Sequence, residues 1–99
     1  MKAAIIKTAM GYKGVAETDA EGRVLLIARI RPAASVAEGK VRLSVHTTWN
    51  AGNAPILCLA IEHVPEDMPK DKMQDRLRIM CALAATRNNV DYVIMWEGE

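Results

Sequence analysis

The chain has 99 residues, enough for one domain around one core. At this size roughly two thirds of the unfolded surface is buried, which leaves no room for a large enclosed active site. Thirteen Lys and Arg stand against twelve Asp and Glu, a formal net charge of +1. That balance excludes a general electrostatic grip on nucleic acid or anionic membrane and leaves open a local basic patch.

The apolar share is 51% with no Phe, and the aromatic residues are Tyr12, Trp49, Tyr92 and Trp96, so the core must be built from Ile, Leu, Val, Met and Ala. No apolar run approaches the roughly 18 to 20 residues that span a bilayer. Met1-Lys2-Ala3-Ala4-Ile5-Ile6-Lys7 is too short and too quickly charged for a signal peptide, so the expectation is a cytoplasmic chain without a membrane segment. Cys58 and Cys81 are far apart, each within an apolar stretch, a pattern of reduced buried thiols rather than a disulfide framework.

In chain order, Ala3 to Ala9 reads as a first strand. Gly11 and Gly14 suggest a bend or bulge before the chain extends again through Val15 to Thr18. Asp19-Ala20-Glu21-Gly22 has turn residues in hairpin order, with Gly22 free to take positive φ, and Arg23 to Arg31 follows as a strand. Pro32 to Gly39 is a connection. The next strand has the clearest period: Val41, Leu43, Val45, Thr47 and Trp49 fall on one face, expected to be core, and Lys40, Arg42, Ser44, His46 and Thr48 on the other, expected to be wet. Asn50-Ala51-Gly52-Asn53 signals a turn. Pro55 to Ile61 is apolar on both alternations, which predicts a strand covered on both faces and central in the sheet.

Val64-Pro65-Glu66-Asp67-Met68-Pro69 supplies acids and a proline where a helix should start. The spacing predicts a helix from about Pro69 to Arg87, with Met73, Leu77, Met80, Cys81 and Ala84 as its core stripe and Asn88-Asn89 as its left-handed stop. Ile79, Ala82, Leu83 and Ala85 widen the apolar stripe beyond what one sheet face can cover. Val90 to Trp96, apolar on both alternations, closes the chain as a strand.

These elements predict a single α+β domain over residues 1–99: an antiparallel sheet of four to five strands with one principal helix packed on it, in the order β-β-β-β-α-β. A strand hairpin, a further strand, a helix and a strand ending in Glu97 is an order similar to that of the ribonuclease H and Holliday-junction-resolvase fold. That fold needs a metal-binding Asp in its first strand. Ile5-Ile6-Lys7-Thr8-Ala9 has none, and one strand too many precedes the helix, so the chain is not assigned to it.

The search for chemistry returns no phosphate-binding glycine loop, no Cys-x-x-Cys, no His-x-x-x-His or Glu-x-x-His and no serine elbow, and hence no catalytic residue, metal site or cofactor. Three constellations remain. Glu62, Glu66, Asp67 and Asp71 cluster at the helix start, where acids are favoured whatever the function. Lys40, Arg42 and His46 project from one strand and Arg23, Arg29 and Arg31 from one side of the preceding one; pairing of the two strands would join them in a basic face. The third is surplus apolar surface, with Ile79, Leu83 and Trp96 as the candidate partner-binding residues.

The sequence therefore reads as a non-catalytic protein-binding module that self-associates, as a homodimer, and acts as an accessory or inhibitor protein by occluding a larger partner. Short motif-free domains of this kind are carried by phages and mobile elements. Alternatives from other classes are a nucleic-acid binder using Arg29, Arg31, Lys40, Arg42 and His46, and a small enzyme using a divalent metal at the acidic cluster.

Overall fold

The computed structural model describes residues 3–8, 11, 13–33, 38–48 and 56–97. Trp49, the turn at 50–53, Pro55, Ala9 and the centre of the 32–39 connection lie outside them. The elements are β1 (Ala3–Lys7), β2 (Lys13–Glu17), β3 (Val24–Pro32), β4 (Lys40–Thr48), β5 (Ile56–Pro65), α1 (Lys70–Asn88) and β6 (Tyr92–Trp96). The fold is α+β, with one helix packed on a multi-stranded, mostly antiparallel sheet.

The first stretch is two strands rather than one bent strand. Gly11, at φ +91°, donates its N–H to Thr8 O at 3.0 Å and turns the chain back, so β2 runs antiparallel to β1 with Ile5 opposite Val15. This pair forms its own two-stranded sheet. The turn at Asp19–Gly22 forms as the residues predict. Gly22 takes φ +81° and donates to Asp19 O, and one Asp19 carboxylate oxygen accepts the N–H groups of Glu21 and Arg23. The hydrogen bond from the Arg23 backbone, more than any other cause, holds the Asp19 carboxyl below its ordinary range. Only the Thr18–Val24 bridge continues this turn as a ladder; β2 pairs with β1 instead of with β3.

The main sheet has the order β5-β4-β3-β6. β3, β4 and β5 form an antiparallel meander, and α1 carries the chain over to β6, which lies parallel to β3 and makes the sheet mixed. The expectation of a central β5 fails: β5 is an edge strand, and so is β6. Their second apolar side lies on the face that the helix does not cover.

One face of this sheet carries the core. Opposed positions place Val24, Leu26 and Ala28 of β3 beside Leu43, Val45 and Thr47 of β4, and Tyr92, Ile94 and Trp96 of β6 on the same side. A bulge between Val45 and His46 accommodates Leu59 as an extra residue in β5. Against this face α1 packs the predicted stripe of Met73, Leu77, Met80, Cys81 and Ala84, and Ile6 and Ala16 of the β1–β2 hairpin join the same cluster. Thr47, the one polar group at its centre, donates its hydroxyl to Leu25 O at 3.0 Å.

The helix begins after Pro69, which sits in the N-cap position without a side-chain cap, and carries Asp71 in its first turn. It ends as the Asn88-Asn89 pair predicts: Asn89 is left-handed at φ 53°, its N–H and that of Val90 returning to Thr86 O and Ala85 O. At β5 the Arg76 Nε reaches both carboxylate oxygens of Glu62, at 2.8 and 2.9 Å. No helix among the described residues is long and apolar enough to cross a membrane.

Candidate functional site

Period-two alternation sends every other strand residue to the opposite face, which no described element covers except at the end of Leu25, Thr48 and Val93, where Glu17, Thr18, Asp19 and Arg23 line a cavity with them. The register lays this open face out in rows across the sheet. Thr48, Leu25 and Val93 form one end. Cys58, His46, Ile27 and Met95 make the next row, and Ile61, Ser44 and Arg29 the one after, with Glu97 following β6 at its end. His63, Arg42 and Arg31 make the last row, and Lys40 lies beyond on the same side. The face is apolar at one end and cationic at the other.

Pairing of β3 with β4 thus unites Arg29, Arg31, Lys40, Arg42 and His46 on one face, the geometry that the alternation of each strand implies. Arg23 does not join them; its guanidinium turns back to Asp19, Nε to Oδ2 at 2.7 Å. The face is less wet than the alternation suggests. Ser44 is only 4% exposed, Ile27 6%, and His46 is half-buried. Ile61, at 54%, and Met95, at 46%, are exposed on the two edge strands.

Glu97 is the counter-charge. Its Oε1 accepts from Arg31 Nε and Nη2 at 3.0 and 2.6 Å, and its Oε2 lies 2.5 Å from Arg29 Nε. The Arg31 hydrogen bonds hold its carboxyl below the usual carboxylate range. Both oxygens are therefore used. Arg42 has no ion pair among the described residues, and its Nε is buried without a hydrogen-bond partner among them, as is His46 Nδ1.

His46 Nε2 lies 2.9 Å from Ser44 Oγ. A nucleophile and a base in contact invite a hydrolytic reading, but a working dyad needs an accessible nucleophile and a group that orients the base. Ser44 is buried, and the outer nitrogen of His46 has no partner. The pair therefore lacks both.

Burial, and then the Arg29 charge, hold His46 below its ordinary value of 6.5, against the opposing pull of Glu97. An imidazole harder to protonate in the folded than in the unfolded chain contributes stability that is complete above about pH 6.5 and shrinks as the pH falls below it. The midpoint of urea unfolding should accordingly drop between about pH 7.5 and 5.5, a range above the carboxylate titrations. The drop should be smaller in His46→Gln, and equal slopes in the two proteins would remove His46 as the cause.

Both cysteines are free, Cys81 buried and Cys58 half-buried. Burial pushes the Cys81 thiol up to about 11. Since the thiolate is the reactive form, mass spectrometry after iodoacetamide treatment at about pH 8 should find Cys81 unmodified in the folded chain and alkylated in denaturant. Rapid native labelling of Cys81 would contradict the packing described for α1.

The remaining candidates separate. Ile79 and Leu83, 50% and 59% exposed, stand one turn apart on the outer side of α1. Trp96 is half-buried on the helix side of the sheet, with the Arg78 guanidinium 5.1 Å over its ring. Of the acidic cluster, Glu62 is taken by Arg76, and no group of three or more His, Cys, Asp or Glu able to hold a metal ion occurs among the described residues. The first strand of the main sheet, β3, has arginines at 29 and 31 and no Asp, so the metal-binding Asp missing from β1 is missing here too.

Sequence reasoning did not single out Ser44, Cys58, Ile61, Val93, Met95 and Glu97 as members of the site. The alternation of β4 already placed Ser44 between Arg42 and His46; Glu97 could be found only through the β3–β6 pairing, 66 residues away from Arg31. No protein-family model, no curated protein and no solved structure matches the chain.

Proposed function

We propose that the chain is a non-catalytic binding module that acts by docking the open face of its main sheet onto an acidic surface of a partner protein and occluding it. The observation that carries this reading is a four-stranded sheet with a helix packed on one side and, among the described residues, a largely uncovered opposite side. At one end that side sets Arg29, Arg31, Lys40 and Arg42 against Glu97, flanked by exposed Ile61 and Met95. Apolar side chains bordering a charged centre suit a protein interface, where the apolar contacts supply affinity and the charges supply register and rate. The test is capture from the native host by wild-type chain and by Ile61→Glu and Met95→Glu variants. A partner held by the first and lost from both variants supports the reading, and an unchanged set of captured proteins overturns it.

Two further readings rest on particular observations. The uncompensated Arg42 favours nucleic acid on the same face; binding in a gel shift would then fall steeply as salt rises. Against it, Tyr92 and Trp96 lie on the helix side, so among the described residues no aromatic ring is available on the open face to stack a base. The exposed Ile79–Leu83 pair favours self-association through α1. Light scattering that finds a clean monomer at micromolar concentration would dismiss it.

A further inference from the structure

We propose that the cationic end of the open face, around Arg42, Arg31 and Lys40, is a seat for one phosphoryl group carried on a side chain of the partner protein. This deepens, and rests on, the reading of the open face as the docking surface.

The support is a local cost that the fold tolerates. Arg31 and Arg42 occupy directly opposed positions on β3 and β4, where like charges repel at close range, and Arg29 stands in the adjacent row. Glu97 relieves two of these three, and its single charge leaves the third without an ion pair among the described residues. Among the described residues Arg42 has no ion pair and its buried Nε has no acceptor, and none of them forms an ion pair with Lys40 beside it. A group bearing close to two negative charges and three acceptor oxygens matches this surplus; a second carboxylate, with one charge, does not.

The chemistry favours a protein-borne phosphoryl over a nucleic-acid backbone. The cationic positions gather at one end of the sheet instead of running along it, the flanking side chains are aliphatic, and a backbone phosphodiester carries only one charge.

The experiment uses the full chain and three probes at constant ionic strength: inorganic phosphate, an acidic peptide containing one phosphoserine, and the same peptide unphosphorylated. Inorganic phosphate should raise the thermal midpoint above that in matched chloride, as a ligand of the native state must. The phosphopeptide should bind about tenfold or more tightly than its unphosphorylated form, the scale of a charge-assisted contact. Arg42→Gln should abolish that difference, and Arg76→Gln, on the other side of the sheet, should retain it. Should Arg42→Gln fail to fold, the exposed Lys40→Gln replaces it, with a several-fold loss expected. Equal midpoints in phosphate and chloride, an undiminished preference in the Arg42 or Lys40 variant, or tighter binding of a short single-stranded oligonucleotide than of the phosphopeptide would each overturn the proposal. The two readings fail separately. A captured partner that is lost from Ile61→Glu but indifferent to Arg42→Gln leaves the docking face standing without the seat, whereas phosphate binding with no partner sensitive to Ile61→Glu removes the docking face.

Discussion

Leu77→Ala is expected to destabilise the chain by about 2–5 kcal/mol, the range for emptying a fully buried leucine site. Leu77 has no exposed surface and sits at the middle of the only helix in the described fold, within the cluster that joins the sheet to the β1–β2 hairpin. Truncation removes three carbons from contact with a core made of aliphatic side chains, and a helix fixed at β5 by the Arg76–Glu62 pair is hindered from sliding to fill the gap. A domain of this size has about 5–15 kcal/mol in total, so the loss is a large share of it. Urea unfolding should show a lower midpoint at an unchanged slope. Leu83→Ala, six residues on and exposed, serves as the control, with an expected effect within about 0.5 kcal/mol. Equal effects of the two substitutions would mean that α1 does not dock by the stripe described.

Asn88→Ala is expected to cost about 1–3 kcal/mol, and to act mainly on the hairpin. One side chain holds three hydrogen bonds. Its Oδ1 accepts the Lys7 N–H at 2.7 Å, and its Nδ2 donates to Lys7 O at 3.3 Å and to Ala84 O at 2.9 Å. It thereby ties the last residue of β1 to the last turn of α1. An isolated two-stranded sheet is marginal in water, and this one depends on burying Ile6 and Ala16 and on that tether. Hydrogen exchange should show the Lys7 amide losing protection in Asn88→Ala well before amides of β3 and β4. Loss of protection in all strands together would show that the hairpin and the main sheet open as one unit.

Much of the local structure was legible. The alternation of β4 placed Leu43, Val45 and Thr47 on the core side, the 3.6-residue spacing identified the stripe of α1, and Asp19–Gly22 and Asn88-Asn89 marked a turn and a helix stop. Each rests on neighbours within a few residues, where propensity and period act directly. The failures share a cause. β5 was expected at the centre because both its alternations are apolar, yet an edge strand looks the same when its second face is left bare. Gly11 marked a change of direction without saying whether the chain bends or reverses, and that depends on Ile6 and Ala16 finding a place in the core.

The candidate site divides in the same way. The residue alternation by itself determined that Arg29 and Arg31 share one side of their strand and that Lys40, Arg42 and His46 share one side of theirs. Only the tertiary structure decided that these sides coincide, that Arg31 faces Arg42, and that Glu97 arrives just after β6 to neutralise Arg29 and Arg31 while Arg42 has no ion pair among the described residues. The physical reason is that side-chain direction repeats every two residues along a strand, whereas pairing partners and register are set by which faces α1 and the hairpin bury, through contacts between residues far apart in the chain.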